Sequence, residues 1–382
     1  MILLVAVLIL VFAVWRINLA TKVETQLKAV RAAGLPANGK EADEWYAAVP
    51  DVENSALLMG DAINLMQAFP DGRSNEVSRI KFPTRPDSLT EDQKNLVSDY
   101  LELNEAAINK VNEAIQWPKA RYPIDLSFGL ETPLPHLSHL KELGRIAQFK
   151  SLLASDSEES TEAIRIILGT ARTLEAEPVL ISQLVRVALI NMAVLSLEQN
   201  LNNFNFGSEQ LFVLASAFSA SEKTNLMMNA LIAERASNIP YFRMSNEELH
   251  YVTPQDEMTG SVARPLKGIP APFLKISGAF ERDLLFYLQT MATNIFMLKQ
   301  GPPESLKMVD NQKQVEVIVQ KNFYLLSSLF LPALGKISQR EADAFAFSRM
   351  ASAALAVEQF RAINRRLPES LCSGCWRSAM AR

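Results

Sequence analysis

TEDQKNLVSDYLELNEAAINKVNEAIQWP, residues 90–118, decides the fold class. Thr90 followed by acidic Glu91 and Asp92 is a helix-start signal, because a threonine hydroxyl caps free amides and carboxylates favour the positive end of the helix dipole. Leu96, Val97, Leu101, Ala107, Ile108, Val111 and Ile115 then recur at three-and-four spacing, which places them on one face of a helix. Pro118 ends the run. The pattern predicts one helix over Leu89–Gln116, and strand-like alternation is lacking both here and in most of the chain.

The same periodicity recurs outward from this stretch. It predicts helices over Leu137–Ala154, Ser160–Leu174, Val179–Leu201, Ser208–Ala236, Ala279–Lys299, Glu304–Leu331 and Gln339–Asn364. Val179–Leu201 is the most apolar of them, but Gln183, Arg186 and Asn191 interrupt it, so it reads as a core helix and not as a membrane span. Pro332 should break or kink the helix around Leu329–Leu334. Short connections between consecutive helices favour antiparallel neighbours. The expected fold is therefore all-α: an N-terminal transmembrane helix followed by an irregular stack of antiparallel helical hairpins. No fixed period repeats, so a regular solenoid is not expected.

Residues 1–15, MILLVAVLILVFAVW, form an unbroken apolar run followed by Arg16, Lys22, Lys28 and Arg31. Ile17, Leu19 and Ala20 extend it to the roughly 20 residues a span requires. No basic residue precedes the run and Asn18-Leu19-Ala20 is a poor cleavage site, so residues 1–20 read as an uncleaved single-pass anchor. Taken literally, the positive-inside rule puts the body in the cytoplasm, while a basic segment upstream of Met1 would put it outside. The side stays open at this stage. Beyond the anchor, residues 21–236 form a helical body containing a Pro-rich segment at 117–135. Residues 237–278 are long and irregular, 279–371 hold the C-terminal helices, and 372–382 are an atypical tail. The 237–278 segment carries Tyr241, His250, Tyr251 and Phe273, an aromatic content that marks these four as candidate binding residues.

Gly34-x-x-x-x-Gly39-Lys40 copies the spacing of a phosphate-binding loop. That loop works between a strand and a helix, with a hydroxyl after its lysine to hold magnesium. Here a helical pattern over Val23–Ala33 precedes the glycine, and Glu41 takes the hydroxyl's place. Gly34 instead reads as the left-handed residue that closes a helix, and no nucleotide is expected at Gly34–Lys40. His136, His139 and Glu142 form the one clustered His/Glu set, a weak candidate metal site whose spacing is not that of the His-Glu-x-x-His zinc helix. Ser138-x-x-Lys141 matches an acylating pair, but the Lys-Thr-Gly strand of those enzymes is missing. Cys372 and Cys375, the chain's two cysteines, lie in the tail with neither further ligands nor a redox context. No catalytic residue and no cofactor is assigned. A net charge of −4 gives no general attraction to nucleic acid, and 48% hydrophobic content excludes a disordered chain.

Two stretches resemble known families. Leu27–Ala62, LKAVRAAGLPANGKEADEWYAAVPDVENSALLMGDA, resembles the juxtamembrane part of uncharacterised single-span, membrane-anchored all-helical proteins of some bacteria. Its helix ending Arg-Ala-Ala-Gly, its Trp45-Tyr46 pair and its Pro50-x-x-x-Asn54 with Ser55 inserted before Ala56 match their pattern. The likeness continues through Glu177-Pro178-Val179-Leu180-Ile181-Ser182-Gln183-Leu184. It implies membrane anchoring and an all-helical fold, with no activity attached. Ala353–Leu371, AALAVEQFRAINRRLPESL, is similar to the helix-to-loop junction of type II secretion pseudopilins, with Phe360 standing for a tyrosine and Arg365 for a glycine. This implies a shared packing unit. The first resemblance also implies a Pro-rich continuation after Leu371, in place of which this chain has CSGCWRSAMAR, as a frameshifted or truncated end would. Together these readings lead to a membrane-tethered helical protein with a binding or scaffold role in the cell envelope and a protein partner. The alternatives are an envelope enzyme using His136, His139 and Glu142, and an accessory of a secretion or pilus system.

Overall fold

A computed structural model describes residues 2–69, 72–83, 88–244, 275–332 and 334–370. Among these residues the fold is all-α, with no strand and a single isolated bridge between Asn54 and Lys119. The chain opens with α1 (Ile2–Ala32), then α2 (Gly39–Trp45), α3 (Ser55–Leu65), α4 (Ser74–Arg79), α5 (Glu91–Leu103) and α6 (Glu105–Ala114). A 3-10 turn over Leu126–Glu131 leads to α7 (His136–Leu152), α8 (Ser157–Arg172), α9 (Leu180–Asn200), α10 (Ser208–Ser221) and α11 (Leu226–Asn238). The described part closes with α12 (Ala279–Gln300), α13 (Lys307–Asn322), α14 (Leu325–Phe330) and α15 (Gly335–Asn364).

Two apolar cores hold these helices. The first gathers Met59, Val97, Ile108, Leu140, Ile146, Ile167, Leu189 and Phe218 from α3 and α5–α10. The second gathers Val23 and Leu27 of α1 with Leu231, Leu284, Tyr287, Met291, Val315 and Leu326. Helices α9 and α15 contribute to both, through Leu189 and Val187 of α9 and through Leu355 and Ile337 of α15. Neighbouring helices pack as hairpins, most closely α7 with α8 and α8 with α9. The turn into α8 is set by Asp156, whose carboxylate accepts from the Glu158 and Glu159 amides at 3.0 and 2.9 Å.

Helix α1 has two unlike halves. It is 31 residues long, roughly 46 Å at 1.5 Å per residue. Residues 2–15 are exposed throughout, whereas Leu19, Val23 and Leu27, four apart on one face, are buried against the body. The division falls at Arg16, whose guanidinium meets the Glu281 carboxylate of α12 at 2.6 Å. Gly278, at φ +71°, caps α12 from below, and a side chain there would collide with Arg16 and crowd Trp15 and Leu19. By length and composition α1 is able to cross a membrane, with only 6% of its most apolar window buried. Helix α9 also passes on composition, but half of its window is buried, as expected of the core helix predicted for it.

Three predicted helices turn out to be divided. Leu89–Gln116 breaks at Asn104, whose side chain is fully buried and reaches out to the chain after α3: Oδ1 accepts from the Gln67 amide at 2.9 Å and Nδ2 donates to the Gln67 carbonyl at 3.1 Å. Ser208–Ala236 breaks before Asn225, which adopts φ +70°. Glu304–Leu331 breaks at Phe323, φ +56°, and Pro332 then stops α14. The start of the chain's longest late helix lies four residues earlier than predicted, at Gly335. Gly34 has φ +71° directly after α1, the helix-closing conformation expected of it. The Pro-rich segment at 117–135 is packed and not free: Asn54 clamps both sides of Arg121 at 2.8 and 2.9 Å, and Tyr122 is buried.

Candidate functional site

Among the described residues, those singled out by sequence are not brought together. His136 is buried, with Nε2 at 3.1 Å from both carboxylate oxygens of Glu177, and its ring stacks on Tyr122 with centroids 4.2 Å apart. His139, one turn on, is exposed and its Nδ1 lies 2.8 Å from the Pro135 carbonyl. Glu142 accepts from the Tyr100 hydroxyl at 3.1 Å and lies 3.7 Å from Arg145. The spacing that puts His136 and His139 near one another along α7 therefore sends them to different neighbours, one inward and one to solvent. Among the described residues no group of three or more His, Cys, Asp and Glu side chains is placed to hold a metal ion.

Glu177, which sequence reasoning passed over, anchors this region. It is fully buried between α8 and α9, and it accepts from the Ser182 hydroxyl as well as facing His136. Tyr122 completes the cluster by hydrogen bonding Thr173 at 2.8 Å. This cluster works as a polar lock joining α7 to the α8–α9 connection. Glu177 and Ser182 are five residues apart in a stretch of ordinary composition, and nothing local in it shows that the acid is buried.

Tyr241 is buried too. It packs edge-on against Phe330 at 5.8 Å and hydrogen bonds the Leu130 backbone, so it belongs to the body's interior and is not a free aromatic contact. His250, Tyr251 and Phe273 lie outside the described residues, as do Cys372 and Cys375. At the Gly34–Lys40 loop, Asn38 caps α2 and the Glu41 carboxylate accepts from the Ala37 amide at 2.8 Å while pairing with Arg31 at 2.9 Å.

The most distinctive polar arrangement surrounds Arg186 on α9. Its side chain is only 7% exposed and passes between two cavities. On the inner side, Gln183, Glu341 and Ser348 line a void of about 20 Å³, enough for one water. Gln183 Oε1 and Glu341 Oε2 have no hydrogen-bond partner, and they are the kinds of groups a single buried water satisfies. Burial pushes the Glu341 carboxyl up to about 7 against the pull of Arg186.

On the outer side lies a cleft of about 100 Å³ between α8, α9 and α10. Arg165 and Arg172 enter it from α8, seven residues and hence two turns apart on one face. Arg186 forms the inner wall, donating from Nη2 to the Ser221 carbonyl and facing Glu175 at 3.8 Å. Burial holds Glu175 above the usual carboxylate range even though Arg186, Lys223 and Arg172 pull it down. Ala217, Ala220 and Gly169 are small enough to leave the space open. Of this set, the sequence marked only Arg186, and only as an interruption in an apolar helix. Arg165, Arg172 and Glu175 converge through the α8–α9 and α8–α10 packing, which local pattern does not encode.

Comparison with known proteins adds no relative: no family profile, no curated protein and no solved structure matches this chain.

Proposed function

We propose that this chain is a membrane-tethered binding protein of the cell envelope, held in the bilayer by residues 1–20 as a single-pass anchor, with its helical body presented to a protein partner. One observation carries the reading: α1 is bare and apolar over residues 2–15 and then, without interruption, becomes a buried core helix through Leu19, Val23 and Leu27. An apolar rod of that kind is costly in water and favourable in lipid. A cleaved signal peptide fits poorly, because removal after Ala20 would cut α1 in mid-helix and discard both the Arg16–Glu281 pair and the Leu19 contact.

The test is alkaline extraction of membranes containing the full chain, combined with intact-mass measurement. A chain that resists extraction and retains residues 1–20 supports the anchor. Release into the soluble fraction, or a mature mass lacking those residues, overturns it.

A further inference from the structure

We propose that the cleft between α8, α9 and α10 binds a phosphate group through Arg165, Arg172 and Arg186. Three guanidiniums line one small opening, and Glu175 is the single carboxylate lining it. Lys223 adds a fourth positive charge acting on Glu175. Arg165 makes no ion pair among the described residues, so the outer lip of the cleft offers a guanidinium with its donors free. At the inner wall Arg186 is more than nine-tenths buried, and its Nε has no partner.

A buried guanidinium carries five donors in a fixed fork, and leaving donors unmet away from water is costly. An oxyanion answers that need at Arg186, and its oxygens can also accept charge-assisted hydrogen bonds from the exposed Arg165 and from the Arg172 nitrogens other than Nη2, which donates to the Ile115 and Trp117 carbonyls. The excess of positive charge favours a doubly charged phosphate over a carboxylate. Size narrows the ligand further. A cleft of about 100 Å³ admits a tetrahedral phosphate and a little water, while the pockets that enclose drug-sized ligands run to roughly 300–1,000 Å³. The recognised unit is thus the phosphate itself, free or at the end of a molecule whose remainder stays outside. Glu175 stands beside Arg186 as an internal competitor for the same cations.

The proposal is tested on the full chain in non-ionic detergent micelles by calorimetric titration with inorganic phosphate and, separately, with phosphatidic acid in the micelles. Saturable binding at one site is expected, weakened about tenfold or more by Arg165→Gln, since a lost charge-assisted contact is worth about one decade. Arg165 is exposed, with no ion pair among the described residues, so this variant keeps the fold. Glu175→Gln should tighten binding several-fold by removing the competing carboxylate, an effect that a purely structural arginine cluster does not produce. Saturation by inorganic phosphate identifies a soluble ligand, and saturation by phosphatidic acid alone identifies a lipid headgroup. Failure of both probes to saturate, or unchanged affinity in both variants, overturns the site.

Discussion

Replacing Glu177 by leucine should cost the body about 2–5 kcal/mol, the sum expected when two buried donors lose their shared acceptor. The structure accounts for that figure from its parts. The substitution takes away the acceptor facing His136 Nε2 at 3.1 Å and the acceptor of the Ser182 hydroxyl, both in fully enclosed surroundings. Each orphaned buried donor costs roughly 1–3 kcal/mol. Joint replacement His136→Phe with Glu177→Leu removes both polar partners and leaves a ring to stack on Tyr122, so it should recover about 2 kcal/mol or more of the single variant's loss. His139→Ala is the internal control: that imidazole is exposed, and its loss should stay within about 0.5–1 kcal/mol. Chemical denaturation followed by circular dichroism, with the chain in detergent, reads all three variants against the parent chain. Equal losses for Glu177→Leu and His139→Ala would refute the buried-lock reasoning, as would a double variant less stable than the single. Stoichiometric metal lost from both histidine variants would restore the metal-site reading in its place.

Two further outcomes follow from burial elsewhere. Burial raises the Glu341 carboxyl to about 7 from its ordinary 4.5, so across that interval the folded chain holds a proton that the unfolded chain has released. Stability should therefore fall as pH rises from about 4.5 to 7, and Glu341→Gln, which mimics the protonated form, should flatten that fall in a series of denaturation midpoints. Leu27→Ala removes a side chain that is 2% exposed at the base of α1, and it should cost about 2–5 kcal/mol while opening the α1–α2 connection to limited proteolysis; a cleavage pattern unchanged from the parent chain would count against the docking of α1.

The sequence shows the helices more clearly than their breaks. Three-and-four spacing identifies α7, α8, α9 and α12 nearly to their ends, because one buried face per helix is a local property. The break at Asn104 comes from a long-range demand, two hydrogen bonds to Gln67 that the sequence pattern cannot display. Asn225 is a residue type that tolerates a left-handed backbone and sits in a polar run, so its break was readable in principle. Phe323 is not of that type, so its φ of +56° could not be read from its identity. Arg365, likewise not a residue type that favours a left-handed backbone, takes φ +55° to close α15. The candidate site was almost wholly hidden, since its arginines and Glu175 are polar residues of ordinary spacing until α8, α9 and α10 pack together.

The unbroken α1 makes this protein a keyed shaft and not a ball on a string. On the proposed anchoring, the helix that lies in lipid is also clamped in the second core with no hinge between, so the body would inherit the anchor's axial rotation and depth. A one-residue insertion between Asn18 and Leu19 would turn the whole body by about 100° and raise it about 1.5 Å. A flexible tether would absorb such an insertion; here it would point the arginine cleft at a different neighbour on the same membrane.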